Sequence, residues 1–223
     1  GETKDVLNAL EAAEKRGIRI LTLQHDAASA GAFTITGPSD GSRPAAGGPA
    51  EAGDIALILH TSGTTSRPKI VPLSHQNVAA SAVNVANSVA LTNTDRALNI
   101  MPLFHIHGLI AGVLAPLSKG GAIFCTTGFN ALKFFAAMDE SSPTWYTAVP
   151  TMHQAILSRA SRNKEVIARN PLRFLRSSSS SIPPQVIREL EEVFGAPLIE
   201  AYGMTEASHQ MASNPLPPRA RKP

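Results

Sequence analysis

The stretch Arg173-Phe-Leu-Arg-Ser-Ser-Ser-Ser-Ser-Ile-Pro-Pro-Gln-Val-Ile-Arg-Glu-Leu-Glu-Glu-Val-Phe-Gly195, followed at once by Leu198-Ile-Glu-Ala-Tyr202, decides the fold class. Val186, Ile187, Leu190, Val193 and Phe194 fall on one stripe at helical spacing, so residues Pro183–Phe194 are a predicted amphipathic helix. Pro183 suits a first turn and Gly195 a stop. The apolar runs at Arg173–Arg176 and Leu198–Tyr202 are short and read as strands. Strand, helix and strand in succession are the unit from which α/β domains with a largely parallel sheet are built. The serines Ser177–Ser181 occupy the turn from strand to helix, the edge of such a sheet where sites gather.

The same alternation extends towards the N-terminus. Strand-like runs stand at Ile55–Leu59, Ala97–Met101, Ala122–Thr126 and Thr144–Val149, with helical patterns between them. Ile55–Leu59 is continuously apolar, the mark of a strand buried on both faces. Residues His75–Val89 are a predicted helix with Ser74 as N-cap. Ahead of this body, residues 1–26 read as a leader helix (4–16, stopped by Gly17) and a strand (Ile18–Leu23). Residues 27–53 are rich in Ala, Gly, Ser and Pro and read as a linker or surface excursion. The domain proper is expected over 54–223.

Composition narrows the function classes. The chain has 223 residues, 43% of them hydrophobic, with a formal net charge of +3, which suits a globular domain. Its Lys and Arg are scattered apart from Arg219, Arg221 and Lys222, and it has two Tyr and one Trp. A nucleic-acid reader needs a clustered basic face and aromatic platforms, so no nucleic-acid partner is expected. No apolar run reaches transmembrane length, and no membrane partner is expected. Cys125 is the single cysteine; it excludes an internal disulfide and fits a reducing, cytoplasmic location. Set in the apolar run Ala122-Ile-Phe-Cys125, it reads as a small buried hydrophobe. Trp145 and Tyr146 read as core residues.

One loop suggests chemistry. Thr61-Ser-Gly-Thr-Thr-Ser-Arg-Pro-Lys69 follows the first strand of the body directly. Small residues and hydroxyls let backbone N–H groups approach an anion, and Lys69 adds a mobile positive charge. The Walker pattern is absent. Composition alone leaves a plain Ser/Thr-rich turn as the alternative.

Three ordered stretches carry a resemblance. Thr61–Lys69, Met101-Pro-Leu-Phe-His-Ile-His-Gly108 and Glu200-Ala-Tyr-Gly-Met-Thr-Glu206 together resemble the phosphate loop, gate motif and adenine motif of the adenylate-forming (AMP-dependent ligase) superfamily. The resemblance implies that Thr61, Ser62, Gly63, Thr64, Thr65 and Lys69 surround the triphosphate of ATP. It places the segment Glu200, Ala201, Tyr202, Gly203 and Met204 against the nucleotide, with Tyr202 on adenine. Thr205 then reaches the α-phosphate and Glu206 serves Mg²⁺. The physics agrees: when a carboxylate attacks the α-phosphorus and pyrophosphate leaves, fixed donors and a cation stabilise the spread negative charge, and Mg²⁺ takes one or two carboxylates plus phosphate oxygens. Two positions depart from the common pattern. Ser66 and Ile70 stand where glycines are usual, and Ile70 implies either ordinary β backbone or a shifted loop exit.

The acid is expected to be small and to have a second polar end. Imidazoles and hydroxyls at His105, His107, Ser177–Ser181 and His209 do not suit a fatty chain. Met204-Thr-Glu-Ala-Ser-His209, Thr144-Trp-Tyr-Thr-Ala-Val-Pro-Thr151 and the gate motif look most like the oxalate–CoA ligase branch. By that resemblance Ser179 and His209 meet a distal carboxylate, His105 lies near the reacting carboxylate, and coenzyme A is the second substrate. His107 has packing in the following helix as its bland reading. Family members are about twice as long, so the chain is expected to lack the small lysine-bearing C-terminal domain and to be inactive alone. The alternatives are a ligase for another acid, a peptide-synthetase adenylation domain, and a non-catalytic nucleotide-binding module.

Overall fold

A computed structural model describes residues 4–29, 31–38, 41, 48–61 and 68–221. The chain forms two compact units, Gly1–Pro49 and Ala50–Pro223. The first holds helix α1 (Lys4–Lys15) and an antiparallel hairpin of β1 (Thr22–His25) and β2 (Phe33–Thr36). Gly17 closes the helix with a left-handed φ of 61°, as a glycine after a helix end does. The predicted strand at Ile18–Leu23 sits later, and β2 lies inside the stretch read as an excursion. That strand is only four residues long, too short to show in a small-residue background.

The second unit is built on a six-stranded sheet. Its strands are β5 (Arg96–Asn99), β6 (Ala122–Cys125), β7 (Trp145–Ala148), β8 (Phe174–Ser177), β9 (Leu198–Met204) and β10 (His209–Ser213), in the spatial order β10-β9-β8-β7-β5-β6. All neighbours are parallel except β10, which runs antiparallel to β9. Helices α2 (His75–Ser88), α3 (Ala115–Leu117), α4 (Phe134–Ser141), α5 (Pro150–Ala160), α6 (Lys164–Arg169) and α7 (Pro184–Phe194) connect or flank the strands, together with a π-helical segment, His107–Leu114. The expected α/β fold with a largely parallel sheet is the one observed.

Strand side chains alternate between two cores, as period 2 requires. Leu98, Tyr146, Leu175 and Leu198 enter one core with Phe134, Met138, Ile156 and Leu190. Ala97, Trp145, Phe174 and Ile199 enter the other with Val85, Val89, Ile106 and Ile110. Burial on both faces is why these strands read as apolar runs. Ser74 caps α2 as predicted: its hydroxyl accepts from Asn77 N, and Asn77 Oδ1 accepts from Ser74 N. Gly195 ends α7 in the left-handed region.

Two expectations about burial are corrected. Ile55–Leu59 is not buried on both faces. It belongs to β3 (Ile55–Thr61), which pairs antiparallel with β4 (Lys69–Ser74) in a separate two-stranded ribbon. Leu57 and Leu59 pack on the second core, while Ile55 and Ile58 are more than half exposed; an apolar run cannot reveal that its sheet has only two strands. Strand β4 escaped prediction because Pro72 argues against a strand interior; in a two-stranded ribbon every strand is an edge. Cys125 is exposed, not buried. It ends β6, the last strand of the sheet, where one flank has no neighbouring strand among the described residues.

Candidate functional site

Where the parallel strands end, the serine loop and the Glu200–Gly203 segment face each other across a cleft of about 670 Å³. Ser177, Ser179, Ser180 and Ser181 line one side; Glu200, Ala201, Tyr202 and Gly203 line the other, with Ala212–Asn214 of β10. This is the C-terminal edge at which open α/β sheets bind ligands. The two sides meet because β8 and β9 are adjacent, with Ser177 the register partner of Glu200. Tyr202 keeps 65% of its surface exposed, leaving a ring face free to stack. Glycine at 203 is obligatory, since a Cβ there would lie 1.5 Å from the His209 carbonyl oxygen.

Behind the serine loop lies a polar cluster around Arg176, which is fully buried. Arg176 shares a face of β8 with Phe174, as Thr147 shares a face of β7 with Trp145. Arg176 Nη1 donates to Thr147 Oγ1 and to His107 Nε2, each at 3.2 Å. Its Nη2 donates to His209 Nε2 at 3.1 Å and to Gln210 Oε1 at 2.9 Å. Arg176 Nε has no partner among the described residues. His107 and His209 stack with ring centroids 4.9 Å apart, and His107 Nδ1 lies 3.0 Å from Ser179 Oγ. Burial pushes the Arg176 guanidinium down to about 9, so it stays charged at neutral pH. Burial, and then the field of Arg176, hold His107 and His209 well below the ordinary histidine range. Both imidazoles are therefore neutral beside a charged arginine.

Backbone geometry supports the cluster. Ser179, Ser208 and His209 have φ of 74°, 56° and 100°, left-handed conformations that cost free energy in residues other than glycine and persist only where surroundings impose them. The turn Thr205–Ala207 between β9 and β10 lets His209 fold back under the sheet edge, and Ser81 of α2 hydrogen-bonds the Ser208 carbonyl. His153 fixes the β8 backbone: its Nε2 donates to the Arg176 carbonyl at 3.1 Å, and Tyr146 Oη donates to its Nδ1 at 3.1 Å. Burial lowers His153 to about 4.

The expected site residues fall into groups. Ser179 and His209 belong to the Arg176 cluster, and Glu200–Gly203 line the cleft. His105 is exposed, with its ring 6.5 Å from that of His107 and its Nδ1 accepting from His107 N; burial of part of the ring lowers its pKa. Thr205 and Glu206 form the turn after β9, against β4. Thr61 and Lys69 are register partners at the loop end of the β3–β4 ribbon, and Thr61 Oγ1 is buried with no partner among the described residues. The loop joining them, with Ser62, Gly63, Thr64 and Thr65, lies outside the described residues. Ile70 is ordinary β backbone paired with His60, which settles the question raised by the missing glycine. No cluster of three or more His, Cys, Asp or Glu able to hold a metal occurs among the described residues; Glu206 contributes a single carboxylate.

With the geometry in view, known proteins give the family. The family model "AMP-binding enzyme" matches residues 2–223. The chain belongs to the AMP-binding enzyme family. Within it, the chain is 51% identical over 166 residues to an oxalate–CoA ligase of Arabidopsis thaliana, covering 74% of this chain and 32% of the relative. It is 46% identical over 174 residues to an oxalate–CoA ligase of Saccharomyces cerevisiae, covering 78% and 31%. The apo structure of MatB from Rhodopseudomonas palustris matches with a TM-score of 0.75 at 27% identity, covering 97% of this chain and 42% of that one. This AMP-binding enzyme chain thus spans about a third of the length of the curated relatives it matches.

Sequence reasoning missed Arg176, Thr147 and Gln210. A usable signal existed for the first: Arg176 is a charge inside an apolar strand, next to a serine run. A charge in that position belongs either to a pair or to a site.

Proposed function

We propose that the complete protein carrying this chain is an AMP-forming acid–CoA ligase that takes a small dicarboxylate such as oxalate. The acid's carboxylate attacks the α-phosphorus of ATP, pyrophosphate leaves, and the thiol of coenzyme A then displaces AMP to give the thioester. In this reading Thr61, Ser62, Gly63, Thr64, Thr65 and Lys69 surround the triphosphate. Tyr202 stacks on adenine, with Glu200, Ala201, Gly203 and Met204 as the strand beside the nucleotide. Thr205 hydrogen-bonds the α-phosphate. His105 stands near the reacting carboxylate, and Ser179 and His209 meet the other one. A cytoplasmic location fits this chemistry, and no helix among the described residues is long and apolar enough to cross a membrane.

Glu206 is the residue that would hold Mg²⁺. It lies in an exposed turn and supplies one carboxylate, which fits an ion whose remaining ligands are phosphate oxygens and water. Bound there, the ion would neutralise phosphate charge. Thr205 orients the α-phosphate from the same turn.

One observation carries the choice of acid. The Arg176 guanidinium is buried and charged, and its partners are neutral: Thr147, His107, His209 and Gln210. A buried cation without an anion is costly. A second carboxylate bound at Ser179 and His209 would supply the missing charge, whereas a fatty or aromatic tail would leave it uncompensated. The names of the two oxalate–CoA ligases fit the same reading. The test is pyrophosphate release by the complete protein over a panel of acids. Oxalate should be used with the highest kcat/KM; a clear preference for hexanoate or benzoate would reject the dicarboxylate.

A further inference from the structure

The hydrogen-bond chain behind the cleft has a fixed sense. A guanidinium has donors only. Because Arg176 donates to Nε2 of both His107 and His209, neither Nε2 carries a proton. With no proton on His107 Nε2, the Thr147 hydroxyl, which accepts from Arg176, is the donor in their 2.6 Å contact, and the one lone pair of Nε2 is shared between that hydroxyl and Arg176 Nη1. Gln210 is oriented too: its Oε1 accepts from Arg176, and its Nε2 donates to Ser88 Oγ at 3.0 Å. A neutral imidazole with a bare Nε2 bears its proton on Nδ1. His107 therefore donates from Nδ1 to Ser179 Oγ at 3.0 Å. The Ser179 oxygen is thus engaged from behind as an acceptor, and its one proton is left for the cleft that the residue lines. The left-handed backbone at Ser179 marks a residue held in this position by its surroundings.

We infer that Arg176 is a positioning residue for acid selection: it sets His107 and His209 in the Nδ1–H tautomer and so makes the Ser179 hydroxyl a donor to the carboxylate that is not activated. The inference rests on the dicarboxylate reading above for its ligand, but its proton arrangement stands on the cluster alone. The side chain must be an arginine. Only a planar fork reaches Thr147 and two separate imidazoles at once, and a lysine ammonium offers a single point. With Nε2–H on His107, that nitrogen would oppose an Arg176 donor, and Nδ1 would accept the Ser179 proton instead of directing it outward.

Two measurements on the complete protein test this. First, imidazole NMR with histidine labelled by the heavy nitrogen isotope, assigned through His107→Gln and His209→Gln, should find both protons on Nδ1 near neutral pH. A proton on His107 Nε2 would overturn the inference. Second, Arg176→Met should raise the KM for oxalate relative to acetate by about tenfold, the size of one charge-assisted hydrogen bond, while the KM for ATP stays within about twofold. Ser179→Ala should act in the same direction, and the double variant should add little to the larger single loss. Equal losses for oxalate and acetate would make Arg176 a purely structural cation, and oxalate-specific losses that are fully additive would leave it acting through its charge and not through Ser179; either result overturns the inference. If Arg176→Met does not fold, Thr147→Val paired with Ser179→Ala carries the same non-additivity test. A wild-type enzyme with no preference for oxalate would defeat the ligand reading, and the NMR result would still decide the tautomers.

Discussion

Arg173, immediately before β8, and Arg176, near its C-terminal end, have opposite surroundings. Arg173 is a finished pair. Its Nε and Nη2 hold both oxygens of Asp95 at 3.0 and 2.9 Å, and its other donors reach the carbonyls of Val89 and Ala90 at the end of α2. Thr144 Oγ1 and Thr92 N also donate to that carboxylate, each at 2.8 Å, and the guanidinium lies 4.8 Å from the Phe174 ring centroid. Arg176 is deeper, yet it has no acid among its partners in the described residues. The first ties the N-terminal ends of the strands to α2, a structural task complete in itself. The second sits at the C-terminal ends beside an open cleft, where an uncompensated cation suits a site awaiting an anion. The lesson is that burial alone does not separate a structural charge from a functional one; what separates them is whether the protein supplies the counter-charge.

The largest effect expected from this contrast is on stability at the finished end. Asp95→Ala leaves Arg173 and the Thr144 and Thr92 donors without their shared acceptor, and should cost about 3 kcal/mol. Chemical denaturation would measure this, and a cost below about 1 kcal/mol would mean the knot is weaker than its geometry implies. A smaller effect should come from acid at the open end. His107, His209 and His153 have folded-state pKa values below the ordinary ~6.5. The unfolded chain therefore binds more protons as pH falls. Their contribution is intact above about pH 6.5 and is lost progressively below it, on the order of 1 kcal/mol per histidine by about pH 5.5. Asp95 behaves differently. Burial alone would raise its pKa, but hydrogen bonds from Arg173, Thr92 and Thr144 lower it overall, so its contribution persists until the pH drops through the carboxylate range. Thermal melts between neutral pH and about pH 5 should show Tm falling, and an unchanged Tm would place the histidines in solvent-like surroundings.

Much of the sheet was legible because its strands are buried on both faces and its clearest helix, α7, has a strong stripe. The antiparallel elements were not. Strand β4 contains Pro72, and β10, His209–Ser213, is partly exposed and mixes polar with apolar residues; neither has the pattern of a core strand. The proposed nucleotide side of the cleft was visible as ordered motifs, since Glu200–Gly203 follow one another along a single strand. Arg176 was not visible, because its role depends on His107, Thr147 and His209 converging from three other segments. His107 likewise could be read as packing until its contacts with Arg176 and Ser179 appeared. Ser179 and His209 were expected to act on the acid side by side; the structure brings them into one cluster through His107 and Arg176.

The comparison of the two arginines is tested most directly by measuring, in the complete protein, the ratio of kcat/KM for oxalate to that for acetate in Arg173→Met and in Arg176→Met, with Tm recorded for both. Arg173→Met should lower Tm and leave the ratio within about twofold of wild type, while Arg176→Met should lower the ratio by about tenfold. A ratio that falls equally in both variants, or only in Arg173→Met, would contradict the account.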